Sequence, residues 1–339
     1  MRLAATIPVY SRAGGRTAGD ELPDLERTRL SESQQDTIII AVTLGIVVAI
    51  AYGVAYWSWK AKSDRSARVG LYLVIGFPGA LLAIYGLARL VNGTESGGIW
   101  LATGLGLSLP LAPKFRQFLA RFTPLDPASA VDMVGLSGIL ATGGFLAVTY
   151  MVNPEPAETG TVAIADLASQ FAAFTVLAYV LVGASIWRTF REANNRLGLS
   201  WPTRRQVGVG VGGVFAGLFV MVIAGVLTTV FQPGFNQEIE QATEGITESV
   251  SNPIGAVFFG LGAGISEELL LRGAIQPRFG LILTSVLFAL LHNQYGISFI
   301  LLGVFLMGVV LGLERKYFGT TAAIITHAIF NTIAVLAAT

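Results

Sequence analysis

Long apolar runs alternate with short polar loops over most of the chain. The first run, 37–59, contains no charged residue and exceeds the ~20 residues that a transmembrane helix needs. Nine more runs follow, at about 69–91, 98–112, 131–152, 162–187, 207–231, 253–275, 280–292, 297–313 and 319–338. The pattern predicts an all-α integral membrane protein, a polytopic bundle of about ten transmembrane helices. Because the third and eighth runs are short, roughly eight or nine crossings also fit.

Basic residues concentrate in every second loop. These loops contain Lys60, Lys62, Arg65 and Arg68; Lys114, Arg116 and Arg121; Arg188, Arg191, Arg196, Arg204 and Arg205; Arg278; and Arg315 with Lys316. The loops at 153–161 and 232–252 carry glutamates instead. Because cytoplasmic loops of membrane proteins are rich in Lys and Arg, this alternation places the basic loops in the cytoplasm and the N-terminus outside.

Composition narrows the classes of function. The chain is 53% apolar and 13% charged, whereas a soluble domain is roughly 25% charged, so the expected location is the cell membrane, with multiple passes. The net charge of +1 gives no indication of a nucleic-acid partner, and the lack of cysteine excludes disulfides and thiol catalysis. Three regions follow: a polar, flexible tail at 1–37, membrane helices of unassigned role at 38–206, and a C-terminal domain at 207–339.

The C-terminal domain places ionisable groups inside apolar segments, where they are costly and mark candidate functional sites. The set consists of Glu267, Glu268 and Arg272 in the seventh predicted helix, Phe288 and His292 in the eighth, and His327 and Asn331 in the tenth. His292 and His327 are the two histidines of the chain. At ~1.5 Å per residue, the polar groups of these three helices reach a common layer near mid-membrane.

Helical spacing predicts how these groups face one another. Glu268 and Arg272 are four residues apart and share one helix face, so they can form an ion pair. Glu267 points about 100° away from Glu268. His327 and Asn331 are also four residues apart and present an imidazole and an amide in the same direction.

This set of side chains suits amide hydrolysis, which needs a base to activate water and donors for the developing oxyanion. Glu267 with His292 could polarise the water, while His327 and Asn331 could supply the donors. A zinc ion held by Glu267, His292 and His327 is an alternative, since catalytic zinc takes three protein ligands. The chain contains neither a GxSxG nor an HExxH motif.

Three motifs on successive apolar segments carry a family resemblance. They are EExxxR at Glu267–Arg272, FxxxH at Phe288–His292 and HxxxN at His327–Asn331. Together they resemble the CAAX-protease and bacteriocin-processing family of intramembrane proteases, over roughly 207–339. The family includes endopeptidases that cleave prenylated CAAX proteins.

The resemblance implies a role for each motif residue. Glu267 would activate water with His292, and His327 with Asn331 would form the oxyanion hole. Glu268, Arg272 and Phe288 would support the site. No cofactor is implied when a glutamate activates the water, and the partner would be a membrane-anchored or transmembrane protein or peptide in the lipid bilayer, prenylated in the prenyl-processing members.

Three other functions also fit the sequence. The first is a zinc-dependent variant of the same protease. The second is a catalytically silent membrane scaffold, in which the Glu268–Arg272 pair and the histidines serve packing alone. The third is a proton-coupled transporter, because buried Glu and His also form proton relays. Residues 38–206 contain no second copy of the Glu-Glu/His/His set, which counts against a transporter built from two similar halves.

Overall fold

The computed structural model describes residues 32–156 and 162–338. Within these ranges the regular structure is helical and contains no named strand. The polar tail predicted for 1–37 lies outside the described residues up to position 31, and the first helix already begins at Glu32.

The helices follow one another along the chain with short connections. They are α1 (Glu32–Lys60), α2 (Arg65–Val91), α3 (Gly97–Ser108), α4 (Pro113–Leu119), α5 (Ala130–Val152), α6 (Ile164–Leu181), α7 (Phe190–Leu197), α8 (Arg204–Phe231), α9 (Phe235–Ser249), α10 (Pro253–Glu267), α11 (Gln276–Phe279), α12 (Leu281–Leu290), α13 (Phe299–Phe318) and α14 (Thr320–Ala338). A π-helical segment, Glu268–Ile275, joins α10 to α11.

Seven described helices are long and apolar enough to cross a membrane. They are α1, α2, α5, α6, α8, the continuous stretch Pro253–Phe279, and α14. Two shorter apolar helices span Gly97–Leu111 and Leu281–Leu290. The prediction of an all-α, polytopic membrane protein is confirmed, and the count of ten crossings stays a prediction.

Contacts between loops divide the bundle into two ends. At one end, Arg278 forms a salt bridge of 2.5 Å with Asp132 at the start of α5. Further contacts join the basic loops there: Lys62 over Trp187, Arg196 to the Gly273 carbonyl, and Gln206 to the Phe318 carbonyl. At the other end, the Ile297 N–H donates to the Pro154 carbonyl at 2.7 Å. The grouping matches the alternation of basic loops along the sequence.

Small residues bring α14 close to α10. A Cβ added at Gly260 would lie 2.5 Å from the Ala328 carbonyl oxygen, and one at Gly264 would lie 2.8 Å from the Ala328 nitrogen. Glycines four residues apart therefore let the two backbones approach closely, as in many membrane helix pairs. The close packing places His327 beside the C-terminal end of α10.

The π-helical segment has a local cause in the sequence. In an α-helix, the N–H of residue 277 would bond the Gly273 carbonyl, but Pro277 has no N–H and its ring would clash with that oxygen. The wider turn avoids the clash: the Gln276 N–H donates to the Leu271 carbonyl, five residues back. The regular α-helical spacing predicted through this stretch therefore ends at Glu267.

Two arginines supply donors for the carbonyls at the end of this segment. Arg196 on α7 donates from Nη1 to the Gly273 carbonyl at 3.1 Å. Arg315 on α13 donates from Nε to the Arg272 carbonyl at 3.1 Å. Burial, followed by the positive charges of nearby arginines, lowers the pKa of Arg196 to about 10. This value is still far above neutral pH, so the guanidinium stays charged and can donate.

Candidate active site

The centre of the site is the carboxylate of Glu268, the first residue of the π-helical segment. Its side chain is 0% exposed. One oxygen, Oε1, accepts a hydrogen bond from Nδ1 of His327 at 2.9 Å, and the other, Oε2, lies 3.4 Å from Nε of Arg272. Two partners on different elements thus offset the cost of burying this charge.

The contact between Glu268 and His327 goes beyond the sequence-based expectation, which paired Glu268 with Arg272 alone. The ion pair with Arg272 is present. The additional contact arises because α14 packs against the glycines of α10, which brings His327 to the face that Glu268 occupies. The spacing of residues along the sequence does not indicate how α14 packs on α10, so it could not predict the contact between Glu268 and His327.

Arg272 is held by one aromatic and two polar contacts. Its guanidinium lies 4.5 Å from the centre of the Phe288 ring, a cation–π distance. It also donates from Nη2 to the Gly308 carbonyl of α13 at 3.4 Å, and its Nε faces Glu268. Because the side chain is 0% exposed, losing Glu268 would leave an uncompensated charge in the membrane domain.

Phe288 connects the two histidines. Its ring centre lies 4.7 Å from that of His292 and 5.8 Å from that of His327, the latter edge to face. Its carbonyl is 2.7 Å from Nδ1 of His292. Since a carbonyl only accepts, Nδ1 of His292 carries the proton, and Nε2 of the neutral ring is left with a lone pair that can act as a base.

His327 is oriented in a comparable way, by a carboxylate instead of a carbonyl. Its Nδ1 donates to Glu268, which leaves Nε2 for the site. Nε2 can donate a hydrogen bond only when the ring carries both protons. The negative charge of Glu268 is placed to stabilise that doubly protonated form.

Glu267 and Asn331 are half-buried. The Glu267 carboxylate interacts electrostatically with both His292 and His327, yet it forms no hydrogen bond or salt bridge with a described residue. Asn331 lies one turn beyond His327 on α14, and its side chain likewise forms no hydrogen bond within the described ranges. The structure therefore gathers Glu268, Arg272 and Phe288 around the two histidines and leaves the Glu267 and Asn331 side chains unbound.

A zinc centre at this site would need three protein ligands. Residues 32–156 and 162–338 contain no group of three or more His, Cys, Asp or Glu side chains arranged to hold a metal ion. Nδ1 of each histidine is engaged, by Glu268 in one case and by the Phe288 carbonyl in the other, so a metal could bind each ring only through Nε2. The zinc-dependent alternative, with Glu267, His292 and His327 as ligands, stays a prediction.

Comparison with known families gives one match. Residues 249–333 match the family model described as Type II CAAX prenyl endopeptidase Rce1-like. The matched segment contains every site residue described above, from Glu267 to Asn331. Comparisons with curated proteins and with solved structures give no match. Over residues 249–333, the chain is therefore similar to the Rce1-like type II CAAX prenyl endopeptidases.

Proposed function

We propose that the protein is an intramembrane endopeptidase that hydrolyses a peptide bond of a membrane-associated protein or peptide. The similarity of residues 249–333 to the Rce1-like family supports a protease that acts in a membrane. The observation that carries the proposal is the paired orientation of His292 and His327, each with Nδ1 fixed and Nε2 free. A packing role alone does not need two imidazoles in contact with one aromatic ring and oriented through Nδ1.

The chemical step assigns Glu267 and His292 to the water. Glu267 takes a proton from a water molecule, and the resulting hydroxide oxygen attacks the carbonyl carbon of the scissile amide. Nε2 of His292 accepts a hydrogen bond from the same water and holds it in line. The carbonyl π electrons move onto oxygen, which gives a tetrahedral oxyanion.

His327 and Asn331 stabilise that oxyanion. The doubly protonated ring of His327 donates from Nε2, and the Asn331 amide donates from one turn further along α14. When the intermediate collapses, the C–N bond breaks and the leaving nitrogen takes the proton held by Glu267. The products are a carboxylic acid and an amine. The acid then gives its proton to the amine, which leaves a carboxylate and an ammonium group, so atoms and charges balance without a cofactor.

An apolar cavity beside the site suits the lipid chain of a substrate. It has a volume of about 460 Å³ and lies between α1, α5, α6, the π-helical segment and α12. Its lining includes Ile50, Ile139, Leu177, Leu270, Leu287 and Leu291. Leu291 directly precedes His292, so the cavity extends to the residue next to the histidine that we assign to the water. We assign the cavity to the prenyl group of a lipid-modified substrate.

The test compares matched substrates and variants in liposomes. A peptide with a C-terminal CAAX sequence is supplied with and without a prenyl group, and the products are identified by mass spectrometry. Glu267→Gln should abolish cleavage and leave the thermal unfolding temperature nearly unchanged. Glu244→Gln, on the exposed acidic face of α9, is the control and should cleave like the parent protein. A Glu267→Gln variant that cleaves at the parent rate would refute the proposed role of Glu267.

A further inference from the structure

The carboxyl group of Glu314 on α13 is buried against Thr326 of α14 and has no role in the proposed chemistry. Glu314 on α13 is 5% exposed. Its Oε1 and Oε2 lie 2.8 Å and 2.7 Å from the hydroxyl oxygen of Thr326, whose side chain is 0% exposed. Thr326 immediately precedes His327.

The Thr326 hydroxyl joins three helices. Besides Glu314 on α13, it lies 3.0 Å from the Gly210 carbonyl of α8 and 3.3 Å from the Ala322 carbonyl of its own helix. One hydroxyl proton cannot serve all these acceptors. The cluster is satisfied when Glu314 carries a proton and donates to the Thr326 oxygen while the hydroxyl donates to Gly210, because each polar group then has a partner.

A glycine of α8, Gly213, leaves room for the side chains of Glu314 and Thr326. A Cβ added at Gly213 would overlap Oε1 of Glu314 and lie 2.6 Å from the Thr326 hydroxyl oxygen. At the neighbouring Gly212, an added Cβ would meet nothing within 4 Å. The glycine at 213 therefore accommodates the carboxyl group specifically, and is not simply part of a glycine-rich helix.

We propose that Glu314, acting through Thr326, is a positioning residue for His327. Adjacent residues of a helix point about 100° apart, so anchoring Thr326 to α8 and α13 sets the rotation of α14. That rotation aims His327 at Glu268 on the π-helical segment. The role in catalysis rests on the proposed function, whereas the effect on the orientation of His327 is a structural claim that can be tested without cleavage.

The direct test uses the small number of histidines. The His292→Asn variant leaves His327 as the sole histidine of the chain, so isotope-labelled histidine gives a single imidazole signal when the protein is purified with a histidine-free tag. In this background, Thr326→Val and Gly213→Ala should shift the ring resonances of His327. Unchanged resonances in both variants would overturn the proposal, whether or not the protein cleaves a peptide.

Matched controls separate positioning from general disturbance. Thr284→Val removes an equally buried hydroxyl that bonds the Gly280 carbonyl at the start of its own helix, α12. Gly212→Ala adds the same methyl group as Gly213→Ala but in open space. Both controls should leave the His327 signal in place. Equal shifts in the controls and the test variants would also overturn the proposal.

Kinetics then connect the orientation with catalysis. Glu314→Leu keeps the approximate volume but removes the hydrogen bonds, and it should lower kcat about tenfold, equivalent to ~1.4 kcal/mol, with KM nearly unchanged. Glu314→Gln keeps one acceptor and one donor and should recover most of the lost rate. A Glu314→Leu variant with the parent kcat, or a loss confined to KM, would contradict the positioning role. If the parent protein cleaves nothing, the proposed function fails while the imidazole signal still decides this inference.

Discussion

The helices before α8 and those from α8 onward differ in the polar side chains that they bury. In the most apolar stretch of α1, 6% of residues are buried inside the protein, whereas the corresponding figure for Pro253–Phe279 is 56%. Helix α1 therefore faces outward with apolar side chains, whereas Pro253–Phe279 is packed densely inside the protein.

The buried polar residues follow the same division. Among the described residues, those before α8 are Ser58, Arg116, Asp132 and Ser137, whereas the later helices bury Glu268, Arg272, Glu314 and His327 along with many hydroxyl and amide side chains. A polar group in hydrocarbon needs a protein partner, and partners are available only where helices are closely packed. The later helices therefore contain the buried charged groups on which the proposed chemistry depends, while the earlier ones supply one wall of the apolar cavity.

The largest expected effect comes from leaving one member of the buried Glu268–Arg272 pair without its partner. Arg272→Ala leaves Glu268 without its guanidinium, and Glu268→Gln leaves Arg272 unpaired; each should lower the free energy of unfolding by about 3–5 kcal/mol. Asp132→Asn breaks the partly exposed pair with Arg278 and should cost clearly less. Thermal unfolding in one detergent measures all three. Equal losses of stability for the Glu268–Arg272 and Asp132–Arg278 pairs would contradict the difference between the two groups of helices.

Much of the candidate site could be predicted from the sequence, because the three motifs fall on apolar runs at helical spacing. The π-helical segment was missed, since spacing arguments assume a regular α-helix; Pro277, four residues after Gly273, was the available signal. Glu314 was missed for another reason. It is followed directly by Arg315 and Lys316, so the pattern assigned it to a charged loop, and only the packing of α8 against α14 shows that it is buried.

A second prediction concerns the contribution of the earlier helices to the substrate cavity. Gly138 on α5 lines the cavity, and a Cβ there meets nothing within 4 Å. Gly138→Leu should therefore fill part of the cavity without disturbing the fold, and it should raise KM for a prenylated peptide about tenfold, equivalent to ~1.4 kcal/mol.

The control for this prediction lies on the same helix. Gly143 also has open space around an added Cβ and is not among the residues that line the cavity. Gly143→Leu should keep the parent KM. If the two variants behave alike, the cavity does not bind the substrate chain, and the earlier helices have another role.

A smaller effect is expected where α7 supports the π-helical segment. Arg196→Ala removes the donor to the Gly273 carbonyl and should lower the free energy of unfolding by about 1 kcal/mol. Arg191→Ala, on the exposed face of the same helix, is the matched control. A loss of similar size in both variants would show that the hydrogen bond to Gly273 contributes nothing specific.

No effect is expected from removing metal ions. Prolonged treatment with a membrane-permeable chelator should leave peptide cleavage unchanged, and elemental analysis of the active protein should find zinc well below one ion per chain. Stoichiometric zinc, with activity lost on chelation and restored by zinc alone, would contradict the glutamate mechanism and favour Glu267, His292 and His327 as ligands.

The most direct test of the central claim follows the oxygen of the water. The purified protein and a prenylated membrane-anchored peptide are incubated in ¹⁸O-labelled water, and the new C-terminus is examined by mass spectrometry at early times. One labelled oxygen is expected in the product carboxylate with the parent protein, and no product is expected with Glu267→Gln. Labelled product formed by Glu267→Gln at the parent rate would contradict the claim that this glutamate activates the water.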